Sequence, residues 1–235
     1  MNNYSEVAIE LQSKLEEAIN NIFEITNNEI SINVEDVNIL QRDNNSINSS
    51  TAIGYILEEY LIRKIEQYLS SPDCHFEFSM KPNNKANTSS YDFSLVYKDH
   101  LFYINLKANR NVNDAIAAIN RLYSDYVEYE GKNPLHYLVF KTNYDIDKSK
   151  ISNQNKIIIK GTYSFFLEQI DFSKGWKQDH RLWSPGGKLN SGRLIVSKNF
   201  FNENQIEISK ISYEQTRAYL EEMFNKNFSV AEYEE

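Results

Sequence analysis

Between Thr51 and Leu69 the apolar residues Ile53, Ile56, Leu57, Tyr60, Leu61, Ile65, Tyr68 and Leu69 recur at steps of one, three and four. That is the rhythm of one buried helical face, with Arg63, Lys64, Glu66 and Gln67 left for solvent. Ser49, Ser50 or Thr51 can cap the start of this helix, and Ser70-Ser71-Pro72 stops it. An earlier helix is predicted from about Tyr4 to Ile25 through Val7, Ile9, Leu11, Leu15, Ile19 and Ile22, and Asn27-Asn28 ends it.

After Pro72 the period changes. His75 to Met80 reads as a strand, and the stretch from Lys81 to Thr88 reads as a loop rich in breakers. Tyr91-Asp92-Phe93-Ser94-Leu95-Val96-Tyr97 and Leu101-Phe102-Tyr103-Ile104-Asn105-Leu106-Lys107 form a predicted hairpin around Lys98-Asp99-His100. Strand side chains alternate, so Leu101, Tyr103, Asn105 and Lys107 share one face while Phe102, Ile104 and Leu106 share the other. Asn113 to about Glu130 is expected to be helical, and Leu135 to Phe140 a buried strand. Further on, the pattern predicts a strand at Ile157-Ile158-Ile159, a short helix from Ser164 to Ile170, and a long basic loop. A strand at Leu194-Ile195-Val196 and a last helix from Tyr213 to Phe224 complete the chain. The centre thus reads helix–β–β–β–helix–β, an α/β fold with a mixed central sheet flanked by helices.

Composition narrows the class. At 235 residues, 41% hydrophobic and 25% charged, the chain suits one globular domain spanning 1–235. It holds no apolar run of membrane-spanning length, and its first residues lack the basic and apolar regions of a signal peptide. The single Cys74 excludes an internal disulfide, and with four scattered His it offers no zinc-ligand spacing. A cytoplasmic protein is the expectation. The net charge of −8 argues against coating nucleic acid by bulk charge. Locally the balance reverses: Lys174, Lys177, Arg181, Lys188, Arg193 and Lys198 face one acid, Asp179, between positions 174 and 198. This basic region is either a solvated loop or a phosphate-contacting one.

The hairpin carries the candidate chemistry. Asp92 opens the first strand, Asn105-Leu106-Lys107 closes the second, and the preceding helix bears Gly54, Glu58 and Glu59. In this arrangement the segment from Thr51 to Lys141 resembles the PD-(D/E)xK nuclease superfamily. More narrowly it is similar to the type II restriction endonucleases of the EcoRV/HincII-like group. Tyr91 stands where the motif has proline, and Asn105 stands where it has its second acid.

The resemblance implies a restriction-endonuclease-like αβββαβ core at about 50–141. It also implies Mg²⁺-dependent hydrolysis of double-stranded DNA at a short specific sequence. Asp92 would be the principal metal ligand, with the Asn105 amide oxygen and the Leu106 carbonyl as further ligands. Lys107 would orient or deprotonate the attacking water and stabilise the transition state, and Glu58 would reach the site directly or through water. Glu59, one step around the helix, is expected in solvent. Candidate DNA contacts are Asn109, Arg110 and Asn111 beside the cleft, and Lys177, Gln178, Arg181, Lys188, Asn190 and Arg193 in the basic region. The polar stretch from Gln41 to Asn48 is a weaker candidate. A palindromic target would imply a homodimer, and a restriction system would imply a cognate DNA methyltransferase.

Other assignments compete for the same residues. Asp92 and Lys107 could be a surface ion pair, worth under about 1 kcal/mol; Glu58 could be a helix-surface acid, and Asn105 a strand end. Two rival functions keep the same fold: a related repair or toxin nuclease with this core acting on other DNA or RNA, or a non-catalytic DNA-binding protein with a degenerate nuclease fold that has lost metal binding through Asn105. His75, His100, His136 and His180 show no acid or nucleophile spacing and are read as structural or surface groups. Ser184-Pro185-Gly186-Gly187 is a turn.

Overall fold

The computed structural model describes residues 3–33, 50–72, 74, 77–85, 88–109, 115–147, 154–170, 177–179, 193–195 and 212–231. Its elements are α1 (Asn3–Ile25), β1 (Glu29–Asn33), α2 (Ser50–Leu69), β2 (Ser79–Pro82), β3 (Phe93–Tyr97) and β4 (His100–Asn109). They continue with β5 (Ala115–Ala118), α3 (Ile119–Leu122), β6 (Leu135–Asp147), β7 (Gln154–Phe166), β8 (Lys177–Asp179), β9 (Arg193–Ile195) and α4 (Tyr213–Ala231).

Six strands form a mixed sheet in the order β1-β7-β6-β4-β3-β2. The β4–β6 pair is parallel and the others are antiparallel. A parallel pair needs a crossover, and β5, α3 and the π-helical turn Tyr123–Val127 supply it. The order α2-β2-β3-β4-β5-α3-β6 is the predicted helix–β–β–β–helix–β sequence with one added strand, β5, before the second helix.

Alternation along the strands divides the core in two. Phe93, Leu95, Phe102, Ile104, Leu106 and Phe140 face α1 and α2. On α2 the buried stripe is Ile53, Leu57, Leu61, Ile65 and Leu69, every fourth residue, while Ile56, expected inside, is 43% exposed. Tyr137, Val139 and Phe165 face the other way, toward Ile119, Leu122, Tyr126, Leu220 and Met223.

Local chemistry sets the boundaries. At the end of α1, Asn27 and Asn28 take φ of 52° and 59°, conformations that Asn tolerates better than most residues. The Asn28 amide returns to the Phe23 carbonyl at 2.8 Å. In the hairpin, Tyr97 pairs with His100, so the turn is only Lys98-Asp99, both with positive φ, as a two-residue type I′ turn requires.

Several elements differ from expectation. The helix predicted from Asn113 reduces to α3 and its π turn, because Ala115 and Ala118 pair with β9 in a second, three-stranded sheet, β5-β9-β8. Tertiary pairing here overrides helical spacing. The helix predicted over Ser164–Ile170 is instead the end of β7, followed by a 3₁₀ turn at Leu167–Gln169. Phe165 and Phe166 alternate into opposite cores while pairing with β6, which holds the chain extended. The strand read at His75–Met80 forms at Ser79–Pro82. The basic stretch, predicted as a loop, contributes β8, while the strand predicted at Leu194-Ile195-Val196 forms as β9 at Arg193–Ile195.

Candidate active site

The site lies where β3 stops and β4 continues. The last β3–β4 pair is Phe93 with Ile104, and just beyond it the Asp92 amide donates to the Ile104 carbonyl at 2.9 Å. Strand groups alternate in direction, so Leu106 and Ala108 turn their N–H and C=O groups to this same edge, where β3 no longer pairs with them. Two carboxylates take those amides. Asp92 Oδ2 accepts from Leu106 N at 2.7 Å, and Glu58 Oε1 accepts from Ala108 N at 2.9 Å. Lys107 is the residue between them, half-buried on the opposite face of β4 from Leu106.

Gly54 makes the Glu58 contact possible. A Cβ at position 54 would meet the Ala108 carbonyl oxygen at 3.0 Å, so any larger residue would push α2 and β4 apart by a few tenths of an ångström. Glu58 follows one helical turn later. Glu59 is solvated as expected, paired with Arg63 at 3.3 Å with both side chains mostly exposed.

Electrostatics tie the three groups together. Burial pushes both the Glu58 and the Asp92 carboxyls above the ordinary range. The Lys107 charge and the amide each acid accepts pull them back. The charges of Glu58 and Arg193 also interact, which brings the start of β9 within electrostatic reach of the site.

Asn105 is not a strand end. It sits inside β4, 1% exposed, and its Nδ2 donates to the Ser90 carbonyl and to the Tyr137 hydroxyl, the latter at 2.9 Å. Its Oδ1 is buried without a hydrogen-bond partner. Among the described residues no three His, Cys, Asp or Glu side chains gather as a metal site. The donors on offer are all oxygens: two carboxylates, the orphaned Oδ1 of Asn105 and the Leu106 carbonyl at the edge of β4. Such a set fits a hard cation that keeps several of its waters, as Mg²⁺ does, and fits zinc poorly.

Asn109 ends β4, half-buried and in register with Asn143. Arg193 is exposed on β9. Lys177 and Gln178 lie on β8, which pairs with β9. Arg110, Asn111, Arg181, Lys188 and Asn190 fall outside the described residues, as do His75, His180 and the stretch from Gln41 to Asn48. Of the remaining histidines, His100 and His136 are buried together, with Nδ1 and Nε2 2.8 Å apart and the Tyr4 ring stacked on His136.

Two features escaped the sequence reading. Ser90 and Tyr137 hold Asn105, yet nothing in their local pattern marks them. Lys141 is 1% exposed, in register with Lys107 on the adjacent strand, with its Nζ 5.8 Å from the ring centres of Tyr163 and Phe165. A lysine inside the apolar run from Leu135 to Thr142 was the available signal.

Neither a protein-family model nor a curated protein matches the sequence. Among solved structures the chain is similar to one described as NlaIV restriction endonuclease. The identity is 16%, over 78% of this chain and 77% of that one, with a TM-score of 0.36. No described helix is long and apolar enough to cross a membrane.

Proposed function

We propose that the chain is a nuclease, and specifically a Mg²⁺-dependent type II restriction endonuclease that hydrolyses double-stranded DNA at a short sequence. The observation that carries this reading is the pair of carboxylates, Asp92 and Glu58, seated on the two amides that flank Lys107. An ordinary surface ion pair does not need two half-buried acids held on successive edge amides of one strand.

The roles follow from position. Asp92, Glu58, the Asn105 oxygen and the Leu106 carbonyl would hold the cation, which when bound supplies an activated water and a counter-charge for the phosphate. Asp92 and Glu58 each commit one oxygen to the backbone, which fixes the direction of the other. The Lys107 ammonium would offset charge on the reacting phosphate and orient the water that attacks it. Asn109 and Arg193, with Arg110, Asn111, Lys177, Gln178, Arg181, Lys188 and Asn190, would contact DNA. A two-fold homodimer reading a palindrome, and a methyltransferase protecting the host, belong to the same proposal.

The test is digestion of unmethylated phage DNA with and without Mg²⁺, comparing the wild type with Lys107→Ala and Asp92→Ala. Discrete fragments that need Mg²⁺ and vanish in both variants are expected. Cutting that survives either substitution would remove this site. Mg²⁺-independent binding with no cutting would favour the non-catalytic DNA-binding protein, and cleavage confined to structured RNA or nicked DNA the repair or toxin nuclease.

A further inference from the structure

The segment leading into Asp92 is held with unusual completeness. The Ser90 amide donates to Asp125 Oδ2 at 2.5 Å, and the Ser90 carbonyl accepts from both Asn105 Nδ2 and the Tyr137 hydroxyl. The Tyr91 carbonyl takes the Asn83 side-chain amide at 3.2 Å, and the Asp92 carbonyl takes the Asn83 backbone amide at 3.1 Å. Every carbonyl from Ser90 to Asp92 therefore has a partner. Both donors to the Ser90 carbonyl, and the Asp125 acceptor of its amide, come from elements far away in sequence: β4, β6 and the π turn.

Asn105 joins this network by its nitrogen. Its two amide hydrogens are directed to the Ser90 carbonyl and the Tyr137 oxygen, while the Tyr137 hydroxyl donates its own proton to the same carbonyl. A carboxylate at position 105 has no proton for either bond. It would set a negative oxygen against the Ser90 carbonyl in a place 1% exposed, where a buried unpaired charge is strongly unfavourable.

We propose that Asn105 and Tyr137 are positioning residues for Asp92, and that an amide replaces the acid at position 105 because this site needs a donor there. The pair fixes the Ser90 carbonyl, the short tether from Ser90 fixes Asp92, and the Asp92 carboxylate is thereby held on the Leu106 amide beside Lys107. Tyr137 hydrogen-bonds to Ser90 and Asn105 and not to Asp92, Glu58 or Lys107, so its effect on the reaction would be exerted through Ser90 and Asn105. The inference rests on the nuclease reading for its activity arm only.

The experiment compares wild type, Asn105→Asp and Tyr137→Phe in three measurements: exchange of the Leu106 amide hydrogen, Mg²⁺ half-saturation of DNA cleavage, and thermal midpoint. Both variants are expected to exchange the Leu106 amide at least about 10-fold faster, because its acceptor is no longer held. Cleavage is expected to fall by about 10- to 100-fold, the scale of a misplaced reacting group, with a higher Mg²⁺ requirement. Tyr137→Phe should do this while amides in the middle of α1 stay protected, which separates positioning from general loosening. If Asn105→Asp cuts as well as the wild type, or needs less Mg²⁺, position 105 is simply a metal ligand and the proposal falls. Unchanged Leu106 exchange in both variants would also overturn it. If the wild type cuts no nucleic acid, the nuclease reading fails, and the exchange measurement alone still decides whether Asn105 and Tyr137 position Asp92.

Discussion

Gly54 packs against the carbonyl of Ala108, so closely that a methyl group at position 54 would stand 3.0 Å from that oxygen. The same residue, Ala108, donates its amide to Glu58 one turn further along the helix. α2 is thus referenced to β4 at one residue by a steric contact and a hydrogen bond together. Gly54→Ala should gain up to about 1 kcal/mol of helix propensity and lose it again in displacing α2 by a few tenths of an ångström. The expected result is a thermal midpoint close to wild type with cleavage reduced about 10-fold or more, since small displacements at a reacting centre are amplified. Kinetics and a melting curve on the same preparation check it; unchanged kinetics would mean that Glu58 is not positioned through this contact.

Asp92→Asn and Glu58→Gln keep an oxygen for the Leu106 and Ala108 amides and remove only the charge. Burial raises both acids, so the folded protein holds their protons more tightly than the unfolded chain. Their contribution to stability therefore falls as pH rises from the ordinary carboxylate range through the raised value. At pH 8 the two amide variants should melt no lower than wild type. Cleavage should nevertheless drop, by about 10³-fold for Asp92→Asn and less for Glu58→Gln, because each loses a charged cation ligand. In the wild type, Mg²⁺ affinity should climb with pH over the same window as the cation competes with protons. Variants that unfold instead would show these carboxylates to be structural.

The sequence was most legible where periodicity was strong and one face was buried. The i, i+4 stripe of α2 and the alternation of Phe102, Ile104 and Leu106 both follow from one-sided burial, and both were readable. What it concealed is pairing at a distance. Ala115–Ala118 has helical spacing, yet β9, some 80 residues on, draws it into a sheet. Ser164–Phe166 looked helical because an apolar run carries no period of its own. In the site, the order Asp92, Asn105, Lys107 was visible, but not that Asn105 works through its nitrogen. That depends on Ser90 and Tyr137, whose positions only the folded sheet brings together.

Arg193 tests the basic flank. It is exposed, at the start of β9, and its charge reaches Glu58. If it contacts a DNA phosphate, Arg193→Ala should weaken binding to cognate and unrelated duplexes alike. It should also reduce the slope of log affinity against log salt by about 0.9, one phosphate's share. If it reads a base edge, specificity should relax by about 1–3 kcal/mol at one position with little change in the salt slope. Binding measured over a salt series on both duplexes separates the two. No change in either would remove Arg193 from the interface.

Glu168 links the half of the molecule behind the sheet. Its Oε1 accepts from the Tyr126 hydroxyl at 3.0 Å and from the Tyr137 amide at 2.9 Å, with the Tyr4 hydroxyl at 3.4 Å, and its Oε2 is buried without a partner. Burial outweighs these hydrogen bonds and pushes the carboxyl up to about 7. The folded state therefore holds a proton that the unfolded chain releases near its ordinary value of 4.5. Stability from this group falls as pH rises between those two values, by roughly 3 kcal/mol in all. His136 works in the opposite direction. Burial beside His100 lowers it to about 3, so the unfolded chain takes up a proton first and stability rises with pH up to about its ordinary value of 6.5. The two slopes oppose each other between about pH 4.5 and 6.5, and the wild-type curve alone cannot display either. Glu168→Gln keeps the acceptor and removes the titration. The difference in unfolding free energy, variant minus wild type, should grow from pH 5 to pH 8 by denaturant titration. A difference that stays flat, or shrinks, would mean that Glu168 is ionised throughout and held by its three donors.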